Sequence, residues 1–299
     1  QENVYNVSLV VTTNYGCKDT VTLPVTVYPL PHVNFSPTDV CLNFATQFSD
    51  NSTISNAHTS NSNVQWAWDF ADGTTSTQQN PSHTYASDGS YNATLTVTSN
   101  HNCVNDTTIK VTVYPLPVAS FVGQNLEGCA PVCPTITSTS TINSPSTLDQ
   151  FIWTLSDGRT YTGSSFMDCY DNLTGNDITY GLNLKVISNM GCVSDYTANN
   201  YITVYHNPIA DFFMTPEDPN VMDPEVFFHN TSLYADSYLW NIGYYAPTMD
   251  VNPTITFPFE PRKYPVELIA YTNMGCTDTI RGIVNISDRV IFYVPNTFT

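Results

Sequence analysis

The sequence predicts an all-β protein assembled from sister domains in tandem. Three observations carry that reading. A tryptophan motif, Trp66-Ala67-Trp68-Asp69-Phe70-Ala71-Asp72-Gly73, returns as Phe151-Ile152-Trp153-Thr154-Leu155-Ser156-Asp157-Gly158 and again as Tyr238-Leu239-Trp240-Asn241-Ile242-Gly243-Tyr244. Its tryptophans, Trp68, Trp153 and Trp240, lie 85 and 87 residues apart, and a period of that length is one domain. Runs rich in Thr, Val, Tyr and Asn favour strands and turns, and no window sustains a helical period.

Composition narrows the partners. Of 299 residues, 41% are hydrophobic and 13% aromatic, enough for a core in each domain, while only 11% are charged. Lys and Arg total 8 against 26 Asp and Glu, a net charge of −18 and a pI near 4.2. Such a surface repels phosphate backbones, so neither nucleic acid nor an anionic membrane is an expected partner. No apolar run is long enough to span a bilayer, so no membrane insertion is expected. The chain opens in the middle of a repeat and reads as a piece of something longer.

Residues 1–29 read as the last strands of one domain. Val4 to Thr12 alternates with period two, a turn follows at Asn14–Asp19, and a second strand runs from Thr20 to Tyr28. The same closing passage recurs around Cys103, Cys192 and Cys276, so Cys17, Cys103, Cys192 and Cys276 occupy one position in four units. Proline-rich joints follow at once, as in Pro29-Leu30-Pro31 and Pro115-Leu116-Pro117. Proline fixes its own φ and restricts its neighbour, so these joints read as stiff and extended. The predicted boundaries are 1–29, 30–115, 116–206, 207–288 and a fragment at 289–299. Each full unit offers about seven short strands with regular turn signals, the pattern of an immunoglobulin-like β-sandwich with a tryptophan pinning its core. The expected assembly is an elongated rod.

Trp68-Asp69-Phe70-Ala71-Asp72-Gly73, followed by Asn80-Pro81-Ser82-His83-Thr84-Tyr85 and Gly89-Ser90-Tyr91, resembles the polycystic kidney disease (PKD) domain family. That family reads Trp-Asp-Phe-Gly-Asp-Gly, then Asn-Pro-x-His-x-Tyr, then Gly-x-Tyr; here Ala71 stands for the middle glycine. The later copies keep Trp153, Asp157 and Gly158, then Trp240 and Gly243, and Asn252-Pro253 repeats the Asn-Pro element. Val294-Pro295-Asn296-Thr297-Phe298-Thr299 resembles the opening of the gliding motility-associated C-terminal domain of Bacteroidetes surface proteins. Together the resemblances imply a large adhesin, located at the outer membrane surface and exported by the type IX secretion system. The implied partners are the secretion and gliding machinery and surface polysaccharide or other cell-surface ligands.

Eight cysteines fall at repeat-related positions without zinc spacing, which reads as disulfides in an oxidising, extracytoplasmic place. Aligning the units sets Cys41 level with Cys129, so each is expected to bridge to the closing cysteine of its own unit: Cys41–Cys103 and Cys129–Cys192. Cys133 and Cys169 then form a third bridge. Cys133–Cys192 with Cys129–Cys169 is the alternative, since spacing does not fix connectivity. Val221 takes the aligned place in the last unit, which leaves Cys276 unpaired or joined to something past Thr299; the partner of Cys17 would lie upstream.

Asp69 and Asp72, with Asp88 nearby, are the one carboxylate cluster worth weighing. The other copies put Thr154 and Asn241 at the place of Asp69, so turn chemistry explains these aspartates better than glycosidase chemistry. Some PKD domains bind calcium, which leaves calcium as the one cofactor to consider. The histidines show no ligand spacing, and no nucleophile elbow or phosphate loop occurs. No enzyme is expected. Asp19-Thr20-Val21, Asp106-Thr107-Thr108 and Asp278-Thr279-Ile280 resemble the O-glycosylation sequon of Bacteroidetes, marking Thr20, Thr107 and Thr279. The function expected is a non-catalytic stalk or adhesion segment. The alternative is a spacer, or a carbohydrate- or protein-binding module, of a secreted degradative enzyme.

Overall fold

The computed structural model describes residues 2–56 and 60–288. The expected C-terminal fragment at 289–299, with Val294–Thr299, lies outside the described residues. All regular structure described is β.

The chain begins with a two-stranded antiparallel ribbon, β1 (Asn3–Thr12) and β2 (Lys18–Val27), in register from Asn3 opposite Val27 to Thr12 opposite Lys18. Its apolar side chains, among them Val7, Leu9 and Leu23, are exposed.

A first sandwich follows. Its strands are β3 (Phe35–Pro37), β4 (Val40–Cys41), β5 (Thr46–Asp50), β6 (Asn63–Asp69), β7 (Thr75–Ser76), β8 (Ser82–His83), β9 (Gly89–Ser99) and β10 (Val104–Tyr114). They form a five-stranded sheet, β4-β10-β9-β6-β7, and a three-stranded sheet, β3-β5-β8. Strict alternation explains the burial: Ala93, Leu95 and Val97 of β9 point inward while the residues between them do not. Phe35, Phe48, Trp68, Phe70 and Tyr85 fill the space between the sheets.

The second sandwich repeats this plan. It comprises β11 (Phe121–Gln124), β12 (Glu127–Cys129), β13 (Thr135–Ser138), β14 (Leu148–Leu155), β15 (Thr160–Thr162), β16 (Ser165–Met167), β17 (Ile178–Ser188) and β18 (Val193–Tyr205). The sheets are β12-β18-β17-β14-β15 and β11-β13-β16. In both sandwiches one short strand joins the long closing strand in parallel: β4 beside the end of β10, and β12 beside the end of β18.

The third sandwich has β19 (Phe212–Thr215), β20 (Glu225–Asn230), β21 (Ser237–Ile242), β22 (Thr254–Thr256), β23 (Arg262–Tyr271) and β24 (Thr277–Ile286). Its sheets are β19-β20-β22 and β21-β23-β24, closed around Val226, Phe228, Trp240, Phe257 and Leu268. The parallel edge shrinks here to a single bridge between Asn220 and Ser287. Asn220, one residue before the expected Val221, therefore stands where Cys41 and Cys129 stand in the other two.

The chain packs as two compact units, one of Gln1–Val118, Ser140–Gln150 and Val186–Ser194, the other of Ala119–Thr139, Phe151–Lys185 and Asp195–Thr299. The first unit thus contains the ribbon, the first sandwich and, from the second sandwich, residues 140–150 and the β17–β18 turn; the second contains the rest of the second sandwich and the third.

Candidate functional site

Four copies of one turn close the repeat. In each, a residue four before the cysteine donates its backbone N–H to the cysteine carbonyl: Thr13 to Cys17, Ser99 to Cys103, Ser188 to Cys192 and Thr272 to Cys276, all at 2.8–2.9 Å. In three of them the Ser or Thr hydroxyl also accepts from the cysteine N–H, at 3.1–3.2 Å. The residue before the cysteine has positive φ, and is Gly16, Gly191 or Gly275, with Asn102 in the first sandwich. Asparagine tolerates this region better than other side-chain-bearing residues, which is why the turn survives without glycine.

Two of the cysteines that these turns present, Cys192 and Cys276, are bonded to the preceding sandwich. Cys41 of the first sandwich is joined to Cys192 of the second, and Cys129 of the second to Cys276 of the third. Cys133 and Cys169 are joined within the second sandwich. Cys17 and Cys103 are free thiols, the first exposed and the second half-buried.

The expected bridges Cys41–Cys103 and Cys129–Cys192 are therefore corrected, as is the expectation that Cys276 lacks a partner within the chain; the Cys129–Cys169 alternative does not form either. Cys41 lies beside Tyr114, the last residue of β10, whereas Cys103 precedes the first, Val104. An 11-residue strand separates them by roughly 35 Å at about 3.3 Å per residue, and a disulfide tolerates a Cα separation of no more than about 7 Å. Cys129 and Cys192 stand in the same relation across the 13 residues of β18. The closing turn of the next domain reaches the end where the opening cysteine sits.

The same turns also grip the joints. Two residues past the cysteine, Asn105 donates to the Pro31 carbonyl at 2.9 Å, and Asp278 accepts from the Ala210 N–H at 2.9 Å. His101 stacks on Tyr28 with ring centroids 3.7 Å apart.

The tryptophan turns are built from within. Trp68 donates its indole N–H to the Gln78 carbonyl at 2.8 Å, and Trp153 does so to Gly163 at 2.9 Å. In the first sandwich Asp69 accepts from the Ala71 N–H, while Asp72 accepts from both the N–H and the hydroxyl of Thr74. The second Asp72 oxygen lies 2.7 Å from Nε2 of His83, whose ring stacks on Phe70. Partial burial pushes the Asp72 carboxyl up, but hydrogen bonds from Thr74 and His83 outweigh it and hold the group below the ordinary range. Asp50 is held down in the same way, burial being outweighed by bonds from Ser52, Gln79 and Trp66. The Asn-Pro element pins its neighbour strand: Asn80 accepts from Asp50 N–H, and Asn252 from Asn230 N–H.

These arrangements explain why the acidic motif is structural. Thr74, His83 and Asp72 resemble a relay in composition only, because the hydroxyl and the carboxylate both face the same ring nitrogen. A relay needs the two nitrogens in separate roles. Among the described residues no three His, Cys, Asp or Glu side chains converge as a metal site, and a groove of about 470 Å³ beside Trp66 is lined by no titratable group.

Residues 33–113 match the PKD domain family. That match covers the first sandwich. Over 137 residues the chain is 34% identical to the pre-pro-metalloprotease PrtV of Vibrio cholerae serotype O1, covering 45% of this chain. The alignment takes in only 14% of the length of that curated relative. Among solved structures, the PKD1 domain of Vibrio anguillarum Epp is 30% identical, covering 28% of this chain and 93% of that domain at a TM-score of 0.25. The PKD1 domain of PrtV is 25% identical, covering 29% and 98% at a TM-score of 0.24. Disulfides and PKD architecture together mark an extracellular or surface protein.

The sequon threonines sit at one place in the closing strands. Thr20 and Thr279 are exposed and Thr107 is half-buried. Asp19 and Asp278 each accept from the N–H of the following threonine, so these aspartates shape the turn.

Proposed function

We propose that this chain is a non-catalytic stalk and adhesion segment of a large secreted cell-surface protein. The observation that carries this reading is the staggered disulfide pattern, in which an opening cysteine of one sandwich bonds to the closing turn of the next. Such a bond fixes a joint rather than a core. It restrains the bending that proline-rich linkers already limit, and it suits an elongated rod that holds an adhesive end away from the cell. On this reading the segment belongs to a gliding motility-type adhesin of the outer membrane surface. Export by the type IX system and binding to surface polysaccharide or another cell-surface ligand complete the proposal. O-glycosylation of Thr20, Thr107 or Thr279 belongs to the same proposal, and intact mass without hexose additions would dismiss it.

Small-angle scattering tests the rod. The oxidised chain should give one long maximum dimension, and the Cys41→Ala/Cys192→Ala, Cys129→Ala/Cys276→Ala variant a broader distribution. Identical curves would overturn the stiffening role, and hydrolysis of casein or polysaccharide by the purified chain would overturn the non-catalytic reading.

The second reading, a spacer or binding module of a secreted degradative enzyme, is favoured by the identity with PrtV, which is named as a pre-pro-metalloprotease. A protease domain encoded in the same gene would select it.

A further inference from the structure

We propose that the third sandwich carries a saccharide-binding cleft centred on Tyr244, and that its ligand is a neutral pyranose unit of a polysaccharide. The cleft, of about 250 Å³, is lined by Tyr244, Tyr245, Pro258, Glu260, Arg262 and Tyr264. It occupies the place that the Asp-Gly turn holds in the first sandwich: counting from the tryptophan, Tyr244 replaces Asp72 and Tyr245 replaces Gly73. Where the first copy folds that turn inward onto His83, the third turns an aromatic ring outward.

The ring is held ready. Gly243, at φ 53°, makes the turn, and its N–H is bonded to the Pro265 carbonyl at 2.7 Å. Tyr245 anchors the next position through its hydroxyl to the Thr256 carbonyl at 2.9 Å and by edge contact with buried Phe257. Tyr244 is left 77% exposed, with Arg262 donating to its hydroxyl at 2.8 Å and the guanidinium 4.8 Å from the ring centroid. The core of this sandwich closes instead around Val226, Phe228, Trp240, Phe257 and Leu268. An exposed aromatic fixed in one orientation loses little freedom on binding, which is the condition for a contact platform.

The chemistry favours a sugar. The C–H bonds on the flat face of a pyranose carry partial positive charge and complement the negative face of an aromatic ring. Sugar hydroxyls both donate and accept, and the cleft offers a guanidinium donor at Arg262 beside a carboxylate acceptor at Glu260. A purely apolar slot would lack that pair. The net charge of −18 argues against an anionic glycan. The volume falls below the roughly 300–1,000 Å³ of sites that enclose drug-sized ligands, so the cleft takes about one ring of a longer chain.

The test is affinity gel electrophoresis of the oxidised chain in gels containing a soluble β-glucan, a xylan, a mannan or glycol chitin, followed by calorimetry with the matching oligosaccharide. At least one polymer should retard the protein. Tyr244→Ala should weaken binding by about tenfold or more, whereas Tyr244→Phe, which keeps the ring, should stay within about threefold. Unchanged melting of both variants excludes unfolding as the cause. Failure of all four polymers to retard the chain, or retardation indifferent to Tyr244→Ala, overturns the proposal, as does binding of a proline-rich peptide without any glycan. The inference gives the adhesion half of the proposed function a ligand class; its failure would leave the scattering result, and with it the stalk, untouched.

Discussion

The first and third sandwiches pin their cores with the same residue and secure it by opposite means. Trp68 has an acceptor for its indole N–H in Gln78, and its turn is latched by Asp72, Thr74 and His83. Trp240 is fully buried, yet its indole N–H has no partner among the described residues, and Tyr244 stands where the latch would be. The closing turns differ as well. Cys276 closes the third sandwich onto Cys129, while Cys103, at the same turn of the first, is a free thiol. Both sandwiches are tied to the second by one disulfide, the first through Cys41 at its opening strand and the third through Cys276 at its closing turn.

The largest break in this comparison comes from the disulfide. Replacing both Cys129 and Cys276 by alanine opens a loop of 147 residues and should lower the stability of the third sandwich by about 4–5 kcal/mol on chain-entropy grounds. Cys103→Ala should shift the first by no more than about 0.5 kcal/mol. Calorimetry under non-reducing conditions, resolving one transition per sandwich, checks both.

Position three after the tryptophan gives the next test. Ala71 and Gly243 both sit at positive φ, 62° and 53°. Gly243→Ala should destabilise the third sandwich by about 1–2 kcal/mol or more, since the added Cβ also comes 3.0 Å from the Tyr264 ring. Ala71→Gly should do the reverse to the first, a gain of about 0.5–1 kcal/mol in denaturant midpoint measurements. Between these lies the indole itself. Trp68→Phe forfeits the bond to Gln78 and should cost about 1 kcal/mol more than Trp240→Phe, which removes a donor that was never satisfied. Equal costs would erase the distinction.

The smallest effect is that of pH. Asp50 and Asp72 ionise in the folded first sandwich below the roughly 3.9 of an unfolded aspartate. Their contribution is therefore complete above about pH 5 and fades as pH falls through the folded value. Melting of the first sandwich should drop over that range, and Asp72→Asn should flatten the drop.

Much of this fold is legible before any coordinates. Period-two alternation located the closing strands, and the recurrent tryptophans located the cores, because both follow from local pattern and burial. Asn80 and Asn252 were visible as an Asn-Pro element, though their bonds to Asp50 and Asn230 were not. The disulfide partners were misread because alignment compares positions within a unit, whereas bonding depends on which ends meet. The missing signal was length: a cysteine just before an 11-residue strand and another beside its end cannot touch. The Val221 alignment slipped by one residue for a related reason, since a single parallel bridge at Asn220 leaves almost no pattern to read. Tyr244 and Tyr245 stand side by side in the sequence. That one faces solvent while the other anchors to Thr256 required the fold.

The overlap of the two long disulfides has a mechanical consequence. Cys129 lies within the loop closed by Cys41 and Cys192. Tension applied at the two ends of the chain would pass from Cys41 across to Cys192, back along the backbone to Cys129, and across again to Cys276. Residues 42–128 and 193–275 lie off that path, so a hard pull would straighten a short covalent zigzag while most of the first and third sandwiches carried no load.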